Sequence, residues 1–382
     1  MDNTEIKRIF ILRPDNLGDL VLFSGALRHL RRHWPEAQIT ICVRKFGEEF
    51  FAHCPYMDRI VPYQELHAAV KGYLPGLPSF PGRDRLGALI RRCAPNWTVR
   101  RYRCDLAILP LQSVTAGYHD LMRQIPARIR IGICGKTTNQ TVESDLASRP
   151  WYTRQWDASD LPGNFSELAA NRMFLEFLGV DMRGQKYEPE FWTTEFDRQR
   201  ASQLLGAETA GLTLALAPGV SSIPGRNLPP AWFARSLQNL SGGRLRVVLL
   251  GSRADMPLCQ RVGREIAGLP VVGQVLNLAG QTTVGELIEC LKRCDVVFSQ
   301  ETAVLHIATA LHKPVLGIVG GGHFGRFYPW GDPTLARVVN KPMDCYGCNW
   351  RCIYDSLRCI QEIPPESATR ELQSLIAALP PA

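Results

Sequence analysis

The N-terminal half of the chain alternates between short apolar runs and longer stretches with helical periodicity. Between Leu17 and His33, apolar residues recur every three to four positions, which predicts an amphipathic helix. A second helix is predicted near Ser113–Arg123. The apolar runs predict strands at Ile9–Leu12, Gln38–Val43, Asp105–Leu109 and Ala127–Ile133. Strands separated by helices of this length predict βαβ units and a parallel sheet.

The same alternation recurs in the second half of the chain. Strands are predicted at Leu212–Ala217, Arg246–Leu250, Val275–Leu278, Asp295–Phe298 and Pro314–Val319. Helices are predicted near Pro230–Leu240, Ala254–Ala267, Thr283–Lys292 and Thr302–Leu311. Doubly wound sheets bind ligands at the carboxyl ends of their strands. We therefore expect an α/β protein with two Rossmann-like, doubly wound domains that face each other across a cleft.

These elements divide the chain of 382 residues, which is long enough for two domains of ordinary size. A helix predicted at Phe165–Leu178 ends the first domain, and another at Pro365–Leu379 ends the chain. Four parts are predicted: a first domain at 1–180, a linker at 181–195, a second domain at 196–340 and a C-terminal part at 341–382.

Charge and hydropathy narrow the classes of partner. The N-terminal run carries Lys7 and Arg8, and no stretch approaches the ~18 apolar residues of a membrane span, so we expect a cytoplasmic protein. The net charge is +8, and residues 62–103 alone hold eight Lys and Arg against two acidic residues. This basic insert is either a solvated face or a patch for anionic lipid headgroups at the inner membrane. Nucleic acid is the weaker alternative, because no recognisable binding module accompanies the charge.

A first motif, Arg13-Pro14-Asp15-Asn16-Leu17-Gly18-Asp19, follows the first strand directly. Gly18 lets the backbone approach a ligand, and Asp19 falls in the first helical turn. A carboxylate there can serve as a general base. The alternative is that these polar residues only cap the helix.

A second motif follows the first strand of the second domain. Ser221, Ser222 and Arg226 lie in a loop rich in small residues that leads into a helix with Pro230 near its first position. Hydroxyl and backbone donors with one arginine suit a diphosphate. An ordinary surface loop explains the same local pattern equally well.

A third motif, running from Phe298 through Ala308, is the most specific. A strand ends, and a helix begins on which Thr302 and His306 share one face. The helix N-terminus offers partial positive charge to a phosphate, and Glu301 can accept hydrogen bonds from sugar hydroxyls. The three glycines at 320–322 follow the next strand, and we expect the backbone there to pack closely on a ligand.

Four cysteines lie within fifteen residues near the C-terminus: Cys345, Cys348, Cys352 and Cys359. Four thiolates can close a tetrahedral shell on zinc or iron, which leaves no open position for catalysis. Disulfides or reduced thiols are the alternatives.

The first and third motifs, with the loop from Pro218 to Pro229, resemble the bacterial heptosyltransferases of glycosyltransferase family 9. The resemblance implies the GT-B fold and an inverting transfer of heptose from ADP-heptose to an acceptor glycolipid or protein, without a catalytic metal. It places the general base at Asp19. It places donor-binding residues at Arg226, Asp255, Thr282, Glu301, Thr302, Ala303 and His306. The autotransporter heptosyltransferase branch carries a similar four-Cys finger, and in GT-B proteins the terminal helix crosses back onto the first domain.

Two departures from the family pattern put the exact donor in question. Ala303 stands where the family usually has Gly, and Leu228 and Arg226 replace the usual Trp and Lys. Two other functions fit the motifs less well: a nucleotide-sugar epimerase on the same fold, and a non-catalytic adaptor that uses the cysteines and the basic insert.

Overall fold

The computed structural model describes residues 5–70, 99–136, 138–207, 211–220, 225–241 and 243–379. These residues form two compact units. Most of the basic insert, and Ser221 and Ser222, lie outside the described residues. Among the described residues, no helix is both long and apolar enough to cross a membrane.

Unit 1 comprises residues 1–162 and 168–187 and contains a parallel six-stranded sheet. Its strands are β1 (Arg8–Leu12), β2 (Gln38–Val43), β3 (Arg59–Pro62), β4 (Cys104–Leu109), β5 (Ala127–Cys134) and β6 (Arg154–Asp157). They lie in the order β3-β2-β1-β4-β5-β6. The central strands β1 and β2 are buried at every position except the first, because helices cover both faces of a doubly wound sheet.

Unit 2 comprises residues 163–167 and 188–382 and repeats this topology. Its strands are β7 (Thr213–Ala217), β8 (Leu245–Leu249), β9 (Val272–Asn277), β10 (Val296–Gln300), β11 (Val315–Ile318) and β12 (Ala336–Val339). Their order, β12-β11-β10-β7-β8-β9, is that of unit 1 written from the opposite edge. The order reverses between β1 and β4 in one sheet and between β7 and β10 in the other, and such switch points are where ligands bind.

Helices connect the strands of both units. The helices that begin before residue 165 are Leu17–His33, Lys45–Phe51, Tyr63–Val70, Ala116–Gln124 and Val142–Ser148. The later ones are Glu167–Leu178, Glu195–Leu205, Pro230–Leu237, Met256–Ile266, Val284–Lys292, Ala303–Ala310, Arg358–Gln361 and Pro365–Ala377. The doubly wound α/β architecture predicted from the sequence is confirmed in both units.

The elements that the sequence analysis missed are short, polar or at a sheet edge. Strands β3, β6 and β12 have four residues each and lie at edges, where charged residues are common because one side is unpaired. The helix Glu195–Leu205 has little apolar periodicity and is fixed by a capping box between Thr194 and Asp197.

The terminal helix Pro365–Ala377 belongs to unit 2, which corrects the expectation that it crosses to the first domain. Ala368, Leu372 and Leu375 are buried in the core of unit 2, together with residues of β7, β8 and β10. Just before the helix, the carbonyl of Ile363 accepts a hydrogen bond of 2.7 Å from the Trp232 indole. The helix therefore covers one face of the second sheet.

This packing predicts that Leu372→Ala destabilises unit 2. Leu372 is fully buried, so its truncation removes apolar contacts and leaves a cavity, at a cost of about 2–5 kcal/mol in the free energy of unfolding. Chemical denaturation measures the loss. The exposed neighbour Arg370→Ala is the matched control, with an expected change within about 0.5 kcal/mol. Equal effects of the two substitutions would contradict the packing described.

Candidate functional site

The switch point of unit 2 brings two loops together. Residues 218–229 follow β7, and Glu301 and Thr302 follow the neighbouring strand β10. The side-chain amide of Gln300, itself buried, donates to the carbonyl of Pro218, so the two strand ends are tied to each other. The amide of Val220 donates to Asn227 Oδ1 at 2.7 Å, which joins two described residues of the first loop.

A largely buried ion pair joins the same two loops. Arg226 Nη2 lies 3.0 Å from Glu301 Oε2, and the two side chains are 11% and 7% exposed. Burial raises the pKa of Glu301 to about 7, and the Arg226 charge holds it from rising further. Burial likewise lowers the pKa of Arg226, against the attraction of Glu301. The predicted donor-binding residues Arg226 and Glu301 are thus in direct contact.

The arginine retains hydrogen-bonding capacity beyond this pair. Its Nε is buried and has no hydrogen-bond partner among the described residues. A guanidinium carries five N–H donors, which suit the oxygens of a phosphate. The pair can therefore present a cation to an anionic ligand while Glu301 fixes its position.

The helix Ala303–Ala310 begins next to this pair. Thr302 is its N-cap, and the Thr302 hydroxyl accepts a hydrogen bond of 3.3 Å from the Val304 amide. Ala303 occupies the first helical position. The positive end of the helix dipole and the Arg226 charge are therefore at the carboxyl end of the same strand pair, which favours an anion there.

His306 is buried one turn further along this helix, and its electrostatics follow from that burial. Burial lowers its pKa to about 4, so the imidazole is neutral at pH 7. Trp330 Nε1 donates to His306 Nδ1 at 3.2 Å, and the two rings are stacked. Because Nδ1 accepts, the neutral ring carries its proton on Nε2 and can donate from there. The sequence analysis did not identify Trp330; the only signal was the aromatic cluster at 327–330.

The remaining predicted donor residues have local roles in the structure. Asp255 accepts hydrogen bonds from the amide and hydroxyl of Ser252 in a capping box. A Cβ at Gly219 would overlap the Asp255 carboxylate, so this residue does lie against the loop that follows β7. Thr282 is half-buried and precedes Thr283, the N-cap of the helix Val284–Lys292.

In unit 1, Asp19 lies at the corresponding switch point. It is half-buried in the first turn of the helix Leu17–His33, whose N-cap Asn16 makes no side-chain cap hydrogen bond. Burial raises the pKa of Tyr118, with contributions from the nearby charges of Asp15 and Asp19. Arg44 donates to the Tyr118 hydroxyl at 3.2 Å. Tyr118, which the sequence analysis did not connect with Asp19, therefore lies near enough for the Asp19 charge to affect it.

Asp15, four residues before Asp19, forms an ion pair with Arg13. The Asp15 carboxylate lies 2.8 Å from Nε of the fully buried Arg13, whose guanidinium also donates to the carbonyl of Pro110 after β4. Arg13 thus joins the ends of β1 and β4, and Asp15 lies against the Arg13 guanidinium.

The cysteine cluster does not form a ligand shell in the structure. Burial raises the pKa of the Cys359 thiol, and the nearby thiols of Cys345, Cys348 and Cys352 raise it further, so the four share one neighbourhood. Among the described residues, however, no group of three or more Cys, His, Asp or Glu side chains converges closely enough to hold a metal ion. The four thiols therefore lie near one another without the geometry of a ligand set in the described part of the chain.

The three glycines at 320–322 pack on the protein itself. A Cβ at Gly321 would overlap the Tyr346 ring, and a Cβ at Gly320 or Gly322 would overlap the Trp350 ring. The close approach predicted there is therefore made by aromatic rings of the segment 345–359, which contains the four cysteines. This corrects the expectation of a ligand.

Comparisons with known proteins agree with this architecture. The sequence model of glycosyltransferase family 9 (heptosyltransferase) matches residues 121–349, more than half of the chain. The chain is 26% identical over 380 residues to lipooligosaccharide heptosyltransferase 2 of Haemophilus influenzae, covering 97% of this chain and 99% of that protein. A match to lipooligosaccharide heptosyltransferase 2 of Campylobacter jejuni, at 23% identity over 163 residues, covers 42% of this chain and spans only 51% of that relative.

Solved structures share the fold at low sequence identity. The family 9 glycosyltransferase from Veillonella parvula aligns with a TM-score of 0.69 at 17% identity and covers 98% of each chain. The dodecameric iron-containing heptosyltransferase TibC of enterotoxigenic Escherichia coli, in complex with ADP-D-β-D-heptose, aligns with a TM-score of 0.52 at 12% identity, over 98% of this chain and 77% of that one.

The raised pKa of Glu301 predicts how stability depends on pH. Its pKa is about 7 in the folded protein and about 4.3 in an unfolded chain, so the folded state binds the proton more tightly. The stability contributed by this proton is present below about pH 4.5 and is lost as the pH rises to 7. Relative to Glu301→Gln, which cannot titrate, the wild type should lose roughly 3 kcal/mol over that interval.

Urea unfolding of both proteins between pH 5 and 8 measures this difference. Glu366→Gln is the control, because its own backbone amide and Arg235 lower the pKa of Glu366 and it is ionised throughout that range. If the curves for wild type and Glu301→Gln run parallel, Glu301 does not titrate as described.

Proposed function

Because the chain belongs to glycosyltransferase family 9, the heptosyltransferase family, we propose that it transfers a heptose from ADP-heptose to an acceptor hydroxyl. The observation that carries the proposal is the buried Arg226–Glu301 pair at the switch point of unit 2. It places a cation with spare N–H donors beside a helix N-terminus, where doubly wound domains bind nucleotide phosphates.

On the donor side, the charge that grows on the departing diphosphate must be stabilised. Arg226 supplies a fixed positive charge, and the amides at the start of the helix Ala303–Ala310 supply aligned dipoles. Neutral His306 can donate from Nε2 without adding a charge. We assign Glu301 two tasks: it fixes Arg226, and it accepts hydrogen bonds from sugar hydroxyls. Ser221 and Ser222 are proposed as further phosphate ligands by their place in the loop.

On the acceptor side, Asp19 is the proposed general base. The acceptor oxygen attacks the anomeric carbon as the bond from that carbon to the diphosphate oxygen breaks, and the acceptor proton passes to the Asp19 carboxylate. ADP leaves with the bonding electron pair. A single displacement of this kind inverts the configuration at the anomeric carbon, and no step in it is assigned to a metal.

The acceptor is proposed from the relatives. Two relatives, matched over 97% and 42% of this chain, are named lipooligosaccharide heptosyltransferase 2. We therefore propose the core sugars of a lipopolysaccharide as the acceptor. The proposed place of the reaction is the cytoplasmic side of the inner membrane. The basic insert at 62–103 is the proposed contact with anionic headgroups. Zinc or iron at the four cysteines stays a prediction from their spacing, and the reaction does not depend on it.

Substitution of the proposed base tests this mechanism. Asp19→Asn keeps the size of the side chain and removes the base, so transfer should fall by about 10²–10⁴-fold while ADP affinity remains within a factor of three. Mass spectrometry of the glycosylated acceptor measures transfer, and calorimetry measures ADP binding. Asp181→Asn, at an exposed ion pair with Arg183, is the control and should transfer normally.

Two outcomes would contradict the proposal. Near-normal transfer by Asp19→Asn would remove the base assignment. Conversion of ADP-heptose to an epimer in the absence of acceptor would instead indicate an epimerase, in which no acceptor takes part.

A further inference from the structure

The ring of Trp350, which lies in sequence between Cys348 and Cys352, contacts Arg226 of the proposed donor site. The Arg226 guanidinium carbon is 4.0 Å from the centre of the Trp350 ring. A cation within about 6 Å of an indole face is attracted to it, and the attraction is strongest where water is excluded. Since the Arg226 side chain is 11% exposed, the contact is in such an environment.

The Trp350 ring is itself held in place. Its Nε1 donates to His323 Nδ1 at 3.2 Å, and His323 Nε2 is hydrogen-bonded to Asn349 Oδ1. The ring fills the space left by the missing side chains of Gly320 and Gly322. It is therefore fixed by a directional hydrogen bond at its edge and by glycine backbone beside it.

The backbone around Trp350 is shaped for this placement. Asn349 and Trp350 have φ values of 51° and 61°, in the left-handed region that a bulky residue such as tryptophan rarely adopts. The amide of Gly347 donates to Gly321 at 2.8 Å, and that of Asn349 donates to Gly322 at 3.0 Å. Such a conformation persists only where the surroundings impose it.

Gln361, two residues beyond Cys359, contacts the residue before Arg226. Gln361 Nε2 donates to the carbonyl of Gly225 at 3.2 Å, and Gly225 has a positive φ of 81°. Arg226 is thus supported from three sides: its backbone through Gln361, its guanidinium face through Trp350, and one N–H edge through Glu301. None of these contacts uses the remaining N–H edge.

We propose that Trp350 is a positioning residue for the donor site: its ring orients the Arg226 guanidinium for the diphosphate of the nucleotide sugar. The inference rests on the proposed function, because it assumes that Arg226 binds that diphosphate. It assigns the segment Cys345–Cys359 a role in donor affinity that does not require a bound metal.

Calorimetric titration of the full chain with ADP tests the proposal. Trp350→Leu removes the π face and should weaken ADP binding about tenfold. Trp350→Phe keeps an aromatic face without the N–H and should restore the affinity to within about threefold of wild type. This rescue distinguishes an electrostatic contact with the ring from simple filling of space. If Trp350→Leu does not fold, Trp350→Met fills much of the same space without a π face and takes its place.

A double-mutant cycle identifies the residue through which Trp350 acts. In an Arg226→Ala background, which should itself bind ADP at least tenfold more weakly, Trp350→Leu should cause no further loss. Tyr354→Leu is the matched control within the same segment, because the Tyr354 ring lies against Arg358 and not Arg226. Its ADP affinity should equal that of wild type.

The outcomes separate this inference from the function on which it rests. Unchanged ADP affinity in Trp350→Leu, or an equal further loss in the Arg226→Ala background, would overturn the positioning role. So would a Phe variant as weak as the Leu variant. If wild type does not bind ADP, or if Arg226→Ala binds it normally, the proposed donor site is wrong instead.

Discussion

The proposed donor site depends on one buried ion pair between two strand-end loops. Arg226 and Glu301 are 75 residues apart in sequence, and their contact is possible only because β7 and β10 are neighbours in the second sheet. Placing two charges where water is scarce costs free energy unless each satisfies the other. The surroundings reduce that cost: Gln300 ties the strand ends, an aromatic face lies against the arginine, and a helix N-terminus begins beside the carboxylate.

The sequence predicted the centre of each sheet better than its edges, for a physical reason. Inner strands of a parallel sheet are buried on both faces and appear as apolar runs, so β1, β2, β4 and β5, and likewise β7, β8, β10 and β11, were found within a few residues of their observed bounds. Edge strands such as β6, with the sequence Arg-Gln-Trp-Asp, lack this signal. The arrangement of motifs directly after strands was predictable because strand ends converge at the switch points.

The candidate site was predicted only in part. Residues next to strand ends, such as Arg226 and Glu301, could be selected because local pattern and family resemblance coincide there. The aromatic side chains around them could not: Trp330 and Trp350 contact His306 and Arg226 across 24 and more than 100 residues of sequence, and nothing in their local sequence indicates a partner. For the same reason, the sequence predicts that the three glycines at 320–322 face a ligand, whereas Tyr346 and Trp350 pack against them.

These glycines have a consequence for how the protein can change over evolutionary time. A side chain at Gly321 would collide with the Tyr346 ring and one at Gly322 with the Trp350 ring, and loss of the rings would remove the packing on this backbone. Neither the glycines nor the two rings can therefore be substituted freely while the other set is kept. The match to the family ends at residue 349, one position before Trp350. The glycine triplet and the rings of Tyr346 and Trp350 therefore form a paired module that extends past that boundary, and a chimera with another enzyme of this architecture would have to exchange both parts together.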